Sequence, residues 1–328
     1  MSGTAIYAAR DKMLWEVGRS YVAGVDREAA LTRTHELAAQ GIAANIGTFA
    51  EVASDEATAA ATTREYVSLA KGLARAAADT QLDLDLPHVG LEVGASFCID
   101  QLAAVCDALP DGKYFQIGAD VSSWTDAHLE VVFAAHREGL PIHASLQANL
   151  RRSLDDAVRL TEAGIPVRLV KGGYPEPPDI AWPWGPPTDQ AYRQLARLIL
   201  DAGTGLTLAT HDHVLQDEFA DVEVEMLLGV LPELAGDLAH RGRRIRLFVP
   251  YGQDWQRYVN KRVADAQAAQ RAHPARLSSL PCRLIAAGCQ ANSHLGLTGS
   301  TRPPRFRRHD RAPIVAVARR DDCRRRST

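Results

Sequence analysis

Between residues 40 and 265, short apolar runs alternate with longer stretches whose apolar residues recur every three to four positions. The short runs read as strands at 41–46, 86–92, 114–118, 141–146, 166–170, 205–209, 223–228 and 245–249, each bounded by Gly, Pro or charge. The longer stretches read as helices. Residues 57–78 are Ala-rich with Thr, Glu and Lys on the polar face; 125–138 opens at Thr125-Asp126, 153–163 at Ser153 and 188–202 at Thr188; 230–241 carries Leu and Ala at helical spacing. Two more helices are expected at 8–22 and 26–40. Eight strands alternating with helices predict an α/β fold with a parallel sheet, and eight is the number that closes a TIM-like (βα)8 barrel. An open doubly wound sheet is the alternative. No GxGxxG follows the first strand, which argues against a dinucleotide-binding Rossmann domain. The Pro-rich stretch 175–187 suits neither a helix nor a central strand. It is expected as a long loop after the fifth strand, at the end of a barrel where active-site loops gather.

The chain has 328 residues, 46% hydrophobic and 23% charged, which is ordinary for a globular protein with a large core. No run approaches ~18 apolar residues, and the N-terminus lacks a signal-like apolar core. The five cysteines (98, 106, 282, 289 and 323) form no CxxC pair, which argues for a reducing cytoplasm and against a disulfide framework or structural zinc. The net charge of −3 conceals an asymmetry: residues 271–328 hold 13 Arg, no Lys and 3 Asp, a net of +10 on an otherwise acidic chain. An acidic body does not suit nucleic acid as a partner. From about 271 the apolar period fades. The expected organisation is a helical arm at 1–40, a barrel at 41–270 and an Arg-rich disordered tail at 271–328. Loss of the reading frame near 270 is the other account of the tail.

Four constellations lie at predicted strand ends. In Arg168-Leu169-Val170-Lys171-Gly172-Gly173-Tyr174, two cations flank a strand end and the glycines let a phosphate or an electron-rich ring approach the backbone. A strand with solvated cations and a glycine turn explains the string about equally well. Thr210-His211-Asp212-His213 suggests a metal site through His-x-His, but no matching ligand set stands at the other strand ends, and an N-cap beside a core histidine is the commoner case. Gln147, at the end of the fourth strand, offers a donor and an acceptor to a heteroaromatic edge. Tyr258, Lys261 and Arg262 share one face of a helix after the eighth strand, a phenol and two cations suited to a small carboxylate or, equally, to solvent.

The ordered set RLVKGGY, ATHD, VPYGQDW and YxxxKR, with LQAN and IGAD upstream, resembles the proline dehydrogenase family of flavoenzymes over about residues 20–265. The resemblance implies a (βα)8 barrel with non-covalent FAD, oxidation of L-proline to Δ1-pyrroline-5-carboxylate, and a quinone as electron acceptor, with peripheral membrane contact. By motif match, Arg168 would lie near the flavin N5, with Gln147, Lys171, Gly173, Thr210 and His211 also on the cofactor. Tyr258, Lys261 and Arg262 would hold the proline, with His88 beside it. Several residues depart from the family pattern on the substrate side: Lys261 for the first Arg of an RR pair, Asp265 for Glu, His88 for Lys, Phe248 and Leu228 for Tyr, Asn149 for Tyr, and Gly118 where some members have Asp. These departures leave three alternatives: a related flavoenzyme acting on another cyclic amino acid, a flavin-binding barrel without turnover, or a metal-dependent barrel hydrolase.

Overall fold

The computed structural model describes residues 15–16, 18–260 and 262. Eight parallel strands close into a barrel in sequence order: β1 (Ala43–Thr48), β2 (Thr80–Leu84), β3 (Phe115–Ile117), β4 (Ile142–Gln147), β5 (Val167–Val170), β6 (Leu206–Ala209), β7 (Glu223–Leu227) and β8 (Ile245–Tyr251). The closure is the pairing of β1 with β8, in register from Ala43 with Arg246 to Thr48 with Tyr251. The helices are α1 (Arg27–Ala38), α2 (Glu56–Gly72), α3 (Ala95–Cys106), α4 (Thr125–Arg137), α5 (Ser153–Glu162), α6 (Pro186–Asp201), α7 (His213–Glu218) and α8 (Pro232–His240). The (βα)8 barrel expected from the sequence is therefore the fold. Asp26, Asp55 and Asp212 cap α1, α2 and α7, each accepting from a backbone N–H of the first turn.

The second strand is a correction. It lies at Thr80–Leu84, and most of the stretch expected as a strand, 86–92, begins with a 3-10 turn at Leu86–Val89. Pro87 removes a ladder donor, and Gly90, at a φ of 97°, ends the turn in a conformation a strand cannot use. Helices α3 and α7 also went unforeseen. The Pro-rich stretch is a loop as expected, running from β5 to Pro186 and touching the barrel through the Leu150–Ala181 bridge.

The main core lies between strands and outer helices, where Ile46, Leu82, Leu84, Phe115 and Ile117 meet Tyr66, Leu69 and Leu102. Helix α1 belongs to this shell: Leu31 joins that core, and Leu37 packs with Ile42, Ala44 and Val224. Most of the predicted helix 8–22 and all of the tail from 271 lie outside the described residues.

Candidate active site

Parallel closure brings the C-terminal ends of all strands to one rim, where loops are free to surround a ligand. The residues singled out from the sequence map there. Gln147 ends β4, Arg168 is in β5, Lys171 and Gly173 follow it, Thr210 and His211 follow β6, and Tyr258 and Arg262 follow β8. Tyr258 is in a helix at 255–260; Lys261 lies outside the described residues. His88, expected on a strand, is in the 3-10 turn after β2.

The inside of the barrel is polar below this rim. Alternation along the strands turns Asn45, Asp83, Gln116, Ser145, Arg168 and Glu225 towards one another. Arg168 donates to Glu225 Oε1 at 2.6 Å, and its Nη1 stands 3.4 Å from Ser145 Oγ. Burial opposes its charge, but the Glu225 and Asp83 carboxyls reverse that and raise its pKa. Its buried Nε has no protein partner. Burial pushes Asp83 up to about 8 against the pull of Arg168.

Lys171 is held between two carboxylates, 2.6 Å from Asp189 on α6 and 2.7 Å from Asp212. Burial alone would raise Asp212; the bonds from Lys171 and the Val214 N–H hold it below its ordinary value. Thr210 shapes the same turn by accepting from Asp212 N at 3.1 Å. His211 Nε2 accepts from Leu227 N at 3.1 Å. Burial, helped by the charge of Arg262, lowers its pKa to about 4, so the ring is neutral with its proton on Nδ1. The His-x-His pair is thus divided, His211 facing β7 and His213 opening α7. Among the described residues, no group of three His, Cys, Asp or Glu side chains is placed to hold a metal ion.

Gln147 uses both ends of its amide on backbone, donating to Asp120 O at 2.7 Å and accepting from Gly173 N at 3.2 Å. It ties the loop after β3 to the loop after β5. Gly173 faces open space, so a ligand can reach its backbone. Gly172, not Gly173, is the position where a side chain is barred. Its φ is 133°, and a Cβ would overlap the Asn149 amide.

Across the rim, Tyr258 packs between Phe49 and Phe248, with ring centroids at 5.0 and 6.4 Å. The Arg262 guanidinium lies 5.1 Å from the Tyr258 ring, as the four-residue spacing predicts. His88 Nδ1 is 3.8 Å from Asp85 Oδ2. Burial, with the carboxylates of Asp120 and Asp85, raises the Tyr174 pKa, and the charge of Arg262 opposes them. Sequence reasoning missed Asp83, Asp85, Glu225 and Asp189. For the first three the signal was present, since TQLDLD and EVEML place charges at alternate strand positions.

The family model described as "Proline dehydrogenase" matches residues 30–258. Proline dehydrogenase 1 of Bacillus subtilis is 28% identical over 265 residues, covering 76% of this chain and 87% of the relative. Proline dehydrogenase of Deinococcus radiodurans is 29% identical over 274 residues, covering 78% and 88%. Among solved structures, proline utilization A from Bdellovibrio bacteriovorus superposes with a TM-score of 0.69 at 18% identity, covering 79% of this chain and 33% of that one. The protein of the same name from Corynebacterium freiburgense gives 0.64 at 17%, covering 80% and 32%. These likenesses show the barrel; the chain spans about a third of the length of the two solved proteins.

Proposed function

The chain belongs to the proline dehydrogenase family, and from that premise we propose that it is an FAD-dependent oxidoreductase converting L-proline to Δ1-pyrroline-5-carboxylate in proline catabolism. One observation supports this most: a buried, ion-paired Arg168 on β5 leaves one donor, Nε, unsatisfied inside the barrel. A buried donor without a partner is costly unless a ligand completes it. The residues present suit a flavin. Arg168 Nε and the Nδ1–H of neutral His211 are donors for its acceptor atoms, and the exposed backbone at Gly173 admits a close approach. Gln147 holds that backbone in place, and Thr210 shapes the turn that carries His211. Lys171 spends two of its three N–H donors on carboxylates and keeps the third for a phosphate.

When bound, the flavin supplies the acceptor for the hydride leaving C5 of proline. The protein's part is to bind and orient. Arg262, with Lys261, neutralises the substrate carboxylate, and Tyr258 lies beneath the ring it positions. Fixing C5 against the acceptor supplies much of the rate. His88 and Asp85 close the opposite side of the site. Electrons then pass to a quinone, which places the protein in the cytoplasm with peripheral contact at the inner membrane face. Among the described residues, no helix is long and apolar enough to cross a membrane.

The test is the visible spectrum of the anaerobic protein before and after L-proline. Flavin bands that bleach support the whole reading. Bands that persist with every amino acid tried leave a flavin-binding barrel without turnover. No flavin overturns the cofactor. The second reading, oxidation of another cyclic amino acid, is favoured by the acidic Asp85 beside His88. Bleaching by a different member of a substrate panel, and not by proline, establishes it.

A further inference from the structure

Glu225 is 1% exposed on β7, two strands round the barrel from β5. Each of its oxygens is engaged. Oε1 takes Arg168 Nη2 at 2.6 Å; Oε2 takes Asn45 Nδ2 at 2.8 Å and Gln116 Nε2 at 3.2 Å. A carboxylate anchored from β1 and β3 cannot swing, so the guanidinium it holds is fixed as well.

We propose that Glu225 is a positioning residue for the redox centre: it holds Arg168 in one orientation and cancels its charge, so that Arg168 offers a directed hydrogen-bond donor in place of an unscreened cation. The inference rests on the reading of Arg168 as a neighbour of the flavin ring. Two-electron reduction places negative charge on that ring. A bare guanidinium stabilises such charge strongly, and a neutralised one does so less. Glu225 therefore holds the midpoint potential down and makes the reduced centre a stronger donor to its next acceptor.

The neighbouring carboxyl does not duplicate this role. Asp83 accepts from the same Gln116 amide at 2.8 Å, and burial beside Asp85 and Glu225 raises its pKa. The carboxyl in direct contact with the Arg168 guanidinium is that of Glu225, at 2.6 Å.

The experiment is spectroelectrochemistry of the purified holoprotein at neutral pH, with bound flavin quantified in each sample. Glu225→Gln is expected to raise the midpoint by about 30 mV or more, a tenfold change for a two-electron couple. Asp83→Asn is expected to leave it within about threefold of the wild-type equilibrium by the same constant. Arg168→Gln lowers it, and Arg168→Gln with Glu225→Gln lies nearer the wild type than Arg168→Gln alone. That last comparison decides the matter if Glu225→Gln does not fold, because replacing both members of a buried pair is better tolerated than breaking it. A Glu225→Gln midpoint that is unchanged or lower, an Asp83→Asn shift as large as that of Glu225→Gln, or a double variant displaced as far as Arg168→Gln overturns the proposal. A wild-type protein without flavin overturns the functional reading and this inference with it; flavin with a midpoint indifferent to Glu225 overturns this inference alone.

Discussion

Asp85 fills the space that a side chain on Gly118 would need: a Cβ there would overlap its Oδ1. The two positions are locked together by the Gly118 N–H donating to Leu84 O at 2.9 Å. A missing side chain at the end of β3 thus sets the direction of a carboxylate at the end of β2, next to His88. Gly118→Ala imposes no backbone strain, since Gly118 is not among the positive-φ glycines, and the atom it displaces ends a side chain. The expected cost in stability is under about 1 kcal/mol. The expected functional effect is a change in KM for the amino acid of at least about threefold, roughly 0.6 kcal/mol, with flavin content unaltered. A large fall in Tm with KM unchanged would contradict it.

Lys171→Met leaves Asp189 and Asp212 facing each other, each about a quarter exposed. Because the pair is half-buried, the expected loss is about 1–2 kcal/mol, less than the 3–5 of a fully buried broken pair. Lys171 is what holds Asp212 below its ordinary value against burial. In the variant the Asp212 carboxyl protonates more readily, and its repulsion with Asp189 disappears as it does. Urea unfolding should therefore show the gap between wild type and variant narrowing as pH falls through the carboxylate range. A gap that widens in acid would place the cost elsewhere.

The barrel was legible because its signal is local: apolar runs of strand length alternate with amphipathic helices. Where the pattern broke, it broke for physical reasons. In TQLDL the alternate residues Gln81 and Asp83 point into a polar interior, so β2 lacks the apolar run that marks the other strands, and the apolar string after it carries that signal instead. Helix α3 follows Gly94 with no side-chain cap, and α7 has only 6 residues. Lys171 and His211 could be singled out from their place just past strand ends, Lys171 beside Gly172, and Arg168 from the same string as Lys171. Which partners they meet could not be read, because Glu225 and Asp189 pair with them only through the fold and no spacing along the chain encodes that meeting.

Arg262→Ala tests the carboxylate clamp. If this guanidinium meets a buried substrate carboxylate, kcat/KM should fall by about 2–5 kcal/mol in transition-state binding, with bound flavin retained. Lys261→Arg turns a point charge into a fork and should lower KM for proline. Steady-state kinetics on both variants decide it; near-unchanged kcat/KM in Arg262→Ala removes the residue from the site.

The pH dependence of stability follows from four buried groups. Burial lowers His128 and His143 to about 4, and His211 likewise with Arg262 helping, from an ordinary 6.5. Between those values the unfolded chain binds up to three protons that the native state refuses, so stability rises with pH across that window and is lost as pH falls through it. Asp83 acts in the opposite sense. Its pKa is raised from 3.8 to about 8, so the native state keeps a proton the unfolded chain releases, and stability declines as pH climbs between those values. From about pH 4 to 6.5 the histidines outnumber it; from there to about pH 8 it acts alone, at up to about 1.4 kcal/mol per pH unit. Stability should therefore peak near pH 6.5, falling steeply on the acid side and more gently on the alkaline side. Chemical denaturation from pH 4.5 to 8.5, about the range these groups span, reads it directly. Asp83→Asn should flatten the alkaline limb and steepen the acid limb, since the term opposing the histidines is gone; an alkaline limb that survives the substitution would show that another group carries it.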